Sequence, residues 1–150
     1  MMEKIYRVFL DTSVIFAAVY SETGGARKLF RLGEAGAIQL VVGPRVLQEA
    51  EAVLRRKAPA TLPKLAIFLE LGRAVVAEKS VPAMIGKARS LVAYEPDAFV
   101  LAEALTAEPD WFATHDQAHF LKPLGESDLP FRVGTPGDVI QALADAFKGN

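Results

Sequence analysis

The chain has no cysteine among its 150 residues. That excludes a disulfide framework, a thiolate zinc site and a cysteine nucleophile. It also has almost no net charge, since 17 Lys and Arg stand against 18 Asp and Glu to leave −1. A broad basic sleeve for nucleic acid is therefore not expected, although a local patch stays open. No apolar run approaches the ~20 residues of a membrane helix. The first residues, Met1-Met2-Glu3-Lys4, lack the separate basic region and small-residue cleavage site of a secretory leader. The expectation is a cytoplasmic protein without membrane attachment. Apolar side chains are plentiful: 51% of residues are hydrophobic and 23% charged, a globular balance. A chain of this length buries roughly 70% of its unfolded surface. One self-sufficient domain over residues 1–150 is expected, with no repeat, low-complexity tract or linker.

Apolar runs and breakers alternate along the chain. Tyr6–Leu10, Ile38–Val42, Ala74–Ala77, Trp111–Ala113 and Phe131–Val133 read as strands. Helical patterns run over Ala26–Glu34, closed by Gly36, and over Pro44–Lys57, Lys64–Leu71, Pro82–Val92, Pro96–Ala107 and Pro136–Phe147. Four of these open on a proline, which suits a first helical position. Strands alternating with helices predict parallel βαβ units with helices on both faces of the sheet. In such sheets ligands bind beyond the carboxyl ends of the strands.

Two acids stand at such ends. Asp11 follows the first strand directly, and Asp116 follows Trp111–Ala113 at a short turn. Helix capping or a turn would explain either one alone. Asp97 is different. Its helix carries an apolar stripe of Val100, Leu101, Ala104 and Leu105, and Asp97 lies on that same face. A favourable place in the first turn explains an acid there but not its inward direction. An inward carboxylate needs a partner, and a cation is the simplest one. The helix from Pro44 carries Glu49 and Glu51 on opposite flanks of its stripe of Val46, Leu47, Ala50, Val53 and Leu54. Periodicity does not choose between them, and solvation accounts for both.

These residues together resemble a family. Val8-Phe9-Leu10-Asp11-Thr12-Ser13 is similar to the opening motif of PIN-domain nucleases, and Val42-Gly43-Pro44-Arg45-Val46-Leu47-Gln48-Glu49 to the second motif with its helix glutamate. Asp97-Ala98-Phe99-Val100-Leu101-Ala102-Glu103-Ala104 resembles the third, and Trp111-Phe112-Ala113-Thr114-His115-Asp116 the fourth. Thr135-Pro136-Gly137-Asp138 resembles the usual approach to the last helix. Each motif is weak alone, but four in order over about residues 5 to 140 are specific.

The resemblance implies a PIN-like three-layer sandwich with a parallel sheet of about five strands. It also implies Mg²⁺- or Mn²⁺-dependent cleavage of single-stranded or loop RNA, with Asp11, Glu49, Asp97 and Asp116 as the catalytic acids. It selects Glu49 over Glu51. Asp11, Asp97 and Asp116 are then the metal ligands, with Glu49 and Asp116 completing a second site or orienting water. Hard divalent ions prefer carboxylate oxygen, and four converging acids without one would repel each other. Many small proteins of this kind are toxins of toxin–antitoxin pairs and form homodimers, so an antitoxin and a second copy join RNA as expected partners.

The chain departs from the family pattern at Ser13, where Asn is frequent, and at Pro44, which replaces a short Ser. His115 stands where a small residue or Asn is usual, and its bulk is expected to crowd the metal site or to alter substrate choice. Thr12, Ser13 and Thr114 are placed to bond carboxylates or a phosphate, with capping as the plainer role. His119 reads as a surface residue. Arg27, Lys28 and Arg31 share a helix that offers phosphate contacts, and Arg55-Arg56-Lys57 reads as a solvated helix end. A haloacid-dehalogenase-like site would need an acid at Ser13. The other alternative is a catalytically degenerate PIN fold acting as a binding scaffold.

Overall fold

The computed structural model describes residues 4–149. Five strands form one sheet: β1 (Tyr6–Leu10), β2 (Ile38–Val42), β3 (Val75–Val76), β4 (Trp111–Ala113) and β5 (Arg132–Gly134). Their order is β3-β2-β1-β4-β5 and every pairing is parallel. In the central strands the stretches Val8–Leu10, Leu40–Val42 and Trp111–Ala113 are continuously apolar and buried because both faces are covered there. The chain steps outward from β1 to β2 and β3, then returns across the sheet to β4 and β5. Right-handed crossovers put the helices of these two arms on opposite faces. The order therefore reverses between β1 and β4, which is the switch point where α/β sheets open a crevice.

Before β2 come α1 (Thr12–Tyr20) and α2 (Gly25–Glu34), and between β2 and β3 come α3 (Pro44–Lys57) and α4 (Leu62–Leu71). The return arm carries α5 (Pro82–Leu91) and α6 (Glu95–Ala107), packed closely on each other. A π-helical turn, Gln117–Leu121, and the short α7 (Lys122–Leu124) link β4 to β5. The last helix, α8 (Pro136–Lys148), opens on a capping box between Thr135 and Asp138 and packs back on α2. Gly36 ends α2 with φ +76°, a conformation that a side chain would strain.

Phe9 and Phe112 stack across neighbouring strands with centroids 5.5 Å apart, and Phe120 and Phe131 pack on Phe112. This aromatic layer lies directly beneath the switch point. The π-helical turn and α7 are absent from the sequence reading, and so is one full-length helix, α1. Its apolar, partly β-branched run Val14-Ile15-Phe16-Ala17-Ala18-Val19 has no helical stripe, because the helix is buried on most of its surface. The third strand is only Val75–Val76, and the fifth is shifted by one residue to Arg132–Gly134. Among the described residues no helix is long and apolar enough to cross a membrane.

Candidate active site

A cleft of about 380 Å³ opens at the switch point, and Asp11, Glu49, Asp97 and Asp116 all line it. They come from four separate segments: the end of β1, α3, the first turn of α6 and the turn after β4. Register brings the first and last together. Leu10 pairs with Ala113, so Asp11 and Thr114 are neighbours one step further, with the Asp11 N–H donating to Ala113 O at 3.0 Å.

The hydroxyls near the acids hold carboxylates. Thr114 Oγ1 donates to Asp11 Oδ2 at 2.8 Å, and Ser13 Oγ donates to the same oxygen at 3.0 Å. Thr12 Oγ1 donates to Glu49 Oε2 at 3.1 Å, which ties α1 to α3. Asp11 sits at the N-cap of α1, yet its carboxylate makes no cap bond there. Asp116 does both jobs: it lines the cleft, and its Oδ1 accepts from the His119 N–H at 3.0 Å as a cap. Glu51 lies elsewhere, in the groove between α3 and α4.

Burial raises the Asp11 pKa above its ordinary value, and the Thr114 and Ser13 hydrogen bonds only partly oppose it. Burial also raises Asp97; His119 opposes this, and the charges of Asp116, Asp11 and Glu49 add to it. The charges of the other acids therefore bear on Asp97, with His119 the basic group set against them.

His119 supplies the one nearby imidazole. Its Nδ1 lies 3.3 Å from Asp97 Oδ2 and 3.1 Å from Asp116 Oδ2, between the two carboxylates. It is a wall of the cleft as well as a half-exposed surface residue. The signal for it is the Asp116-to-His119 spacing, which a single capping turn folds back on itself. His115, in contrast, is exposed and does not line the cleft, so its bulk does not crowd the acids. Its backbone N–H donates to Ser13 Oγ instead. Arg27 is not free for a phosphate: its Nε donates to Ala18 O at 2.8 Å and its guanidinium lies over Phe68.

The donor set suits a hard divalent cation, being oxygen-rich, negatively charged and mutually repelling. The spacing is not that of a finished cage. Among the described residues no three His, Asp or Glu side chains already stand as ligands of one ion. Binding would require the carboxylates to draw together and the imidazole to yield its place or join them.

A family model described as PIN domain matches residues 7–118, a span that contains all four acids. The chain belongs to the PIN-domain family. This PIN domain is similar in fold to a chain in the crystal structure of VapBC2 from Rickettsia felis bound to a DNA fragment from their promoter. The two share 15% identity at a TM-score of 0.66, over 85% of this chain and 96% of that one. A comparison with curated proteins finds no match.

Proposed function

We propose that this PIN domain is a cytoplasmic, metal-dependent endoribonuclease that hydrolyses phosphodiester bonds of single-stranded or loop RNA. The observation that carries the reading is the convergence of Asp11, Glu49, Asp97 and Asp116 on one cleft at the topological switch point. Bound Mg²⁺ or Mn²⁺ would supply a water nucleophile at neutral pH and stabilise charge developing on the phosphate. Asp11, Asp97 and Asp116 would hold the ion. Ser13 and Thr114 fix the Asp11 carboxylate through Oδ2. Glu49, steadied by Thr12, would complete a second metal site with Asp116 or orient the water. An unpaired strand fits such a cleft because its backbone is free to bend into it.

The role we infer is that of the toxin of a toxin–antitoxin pair, acting as a homodimer. The motif resemblance and the fold likeness to a chain of VapBC2 support it. An antitoxin Arg or Lys entering the acidic cleft is the matching inhibitory contact.

The test is cleavage of a defined single-stranded RNA by purified protein in Mg²⁺ or Mn²⁺. Cleavage that stops with chelator and in Asp97→Asn is the expected result. Full activity in chelator overturns the assignment. Light scattering checks the assembly, and a species of 16.2 kDa alone at micromolar concentration contradicts the dimer.

A further inference from the structure

Tyr94 stands on the rim of the acidic cleft, immediately before α6. Its ring stacks on His119, with centroids 5.6 Å and planes 29° apart, and it is still 58% exposed. Its backbone is fixed, since Tyr94 O accepts the Ala98 N–H at 3.0 Å. An aromatic held this way is a rigid surface with a face left over.

Beside it lies a second cavity of about 290 Å³. Leu91, Val92, Ala118 and Pro123 form its walls, and it shares Tyr94, His119 and Asp97 with the acidic cleft. Only one carboxylate reaches it. The two cavities thus meet along the Tyr94–His119 wall, with anionic oxygen on one side and aliphatic and aromatic surface on the other. A nucleotide has the same division, a charged backbone beside a flat apolar face. Tyr94 and Asp97 are one helical turn apart, about 5 Å along the axis. That places the aromatic a short step from the acids.

We propose that this side pocket binds one unpaired nucleobase flanking the scissile phosphate, stacked on Tyr94, while the backbone lies over Asp97 and Asp116. The proposal rests on the nuclease reading above and adds a substrate subsite to it. Tyr94 and the aliphatic walls offer a π-face and few directed hydrogen bonds, so the subsite demands a base without selecting which one. A basic side chain from a protein partner would go to the carboxylates and gain little from Leu91 and Val92.

The experiment uses the whole chain and short single-stranded RNAs in Mn²⁺. Wild type first maps a cut site. An abasic nucleotide is then placed on either side of it, and kcat and KM are measured for wild type, Tyr94→Ala and Tyr94→Phe. At one flank, base removal should weaken wild type on the order of 5- to 150-fold, chiefly in KM, the range that alanine substitution at stacking aromatics gives. Tyr94→Ala should be weakened similarly on intact RNA and be indifferent to the abasic site, while Tyr94→Phe should follow wild type. As a binding signal, 2-aminopurine at that flank should be quenched on mixing, before cleavage, by wild type and Tyr94→Phe but not by Tyr94→Ala. Equal melting temperatures exclude unfolding, which an exposed side chain should not cause. Additive effects of the two changes, or equal quenching by Tyr94→Ala, overturn the subsite. A Tyr94→Ala variant that cuts RNA normally but loses an arginine-rich peptide overturns it in favour of a protein segment. Failure of wild type to cut any RNA is a different result, which overturns the nuclease reading and the subsite with it.

Discussion

Two acids on α6 turn away from solvent, and they meet different surroundings. Glu103 is 4% exposed, and its Oε1 accepts the Arg45 N–H at 2.9 Å at the start of α3. Burial raises its pKa, and the Arg45 N–H and charge partly offset that. It caps another helix from outside, at the place where Gly43 leaves room: a Cβ there would lie 2.6 Å from that oxygen. Asp97, in the first turn, shares its cleft with three other carboxylates and one imidazole. An inward-facing acid therefore does not by itself signal a cation. A helix N-terminus satisfies one carboxylate, whereas a cluster of like charges satisfies none.

The sharpest way to separate the two is activity. Asp97→Asn should lower RNA cleavage by more than about 100-fold, beyond the usual cost of losing a supporting partner of a metal ligand. Glu103→Gln keeps an oxygen acceptor for Arg45 and should remain within a few-fold of wild type. Comparable losses in both would mean that the α3–α6 contact, and not the acid cluster, controls the reaction.

Stability should order the pair the other way. Glu103→Ala leaves a part-buried helix-start N–H without its acceptor and should cost ~0.5–2 kcal/mol in chemical denaturation, as loss of a helix cap does. Asp97→Ala in chelator relieves repulsion and should leave stability unchanged or higher by ~1 kcal/mol, against an average substitution that costs about that much. If Asp97→Ala destabilises as Glu103→Ala does, Asp97 is a structural acid. Added Mg²⁺ extends the comparison. At ten times its dissociation constant it should stabilise wild type and Glu103→Gln by ~1.4 kcal/mol and do nothing for Asp97→Asn. Thermal melts with chelator and with millimolar Mg²⁺ measure this.

The same contrast explains what the sequence made legible. Asp11 and Asp116 were findable because a parallel sheet puts its crevice at strand ends, and Asp97 because its helix has a one-sided stripe. Glu103 lies off that stripe, and its burial comes from contact with the start of α3, a tertiary fact that periodicity does not carry. Glu49 and Glu51 were equivalent by periodicity, and the motif resemblance chose the one that lines the cleft. α1 was missed because a helix buried around most of its surface loses its 3.6-residue signature. The structure also replaces an expected crowding by His115 with a wall formed by His119, since the turn after Asp116 carries the second imidazole back over the acids.

The smallest effect is the pH dependence, and its sign discriminates. Asp11, Asp97 and Glu103 have folded pKa values raised above the ordinary 3.8 and 4.5. A raised folded pKa means that the folded state holds its proton more tightly than the unfolded chain. The associated stability is fully present below the unfolded value and is lost as pH rises through the folded one. Metal-free protein should therefore become more stable as pH falls from 7 into the raised carboxylate range, until other acids begin to protonate. Asp97→Asn and Glu103→Gln each remove one such group, so both should flatten the slope, by less than about 1.4 kcal/mol per pH unit. In Mg²⁺ the trend should invert for wild type, because ligands must be deprotonated to bind and stability then rises with pH. That inversion should survive Glu103→Gln and disappear in Asp97→Asn. Melting temperatures over pH 5–7, with and without the ion, check both slopes. A metal-free slope that already rises with pH would mean that the acids do not repel one another in the folded state, and the case for a cation between them would lose its physical basis.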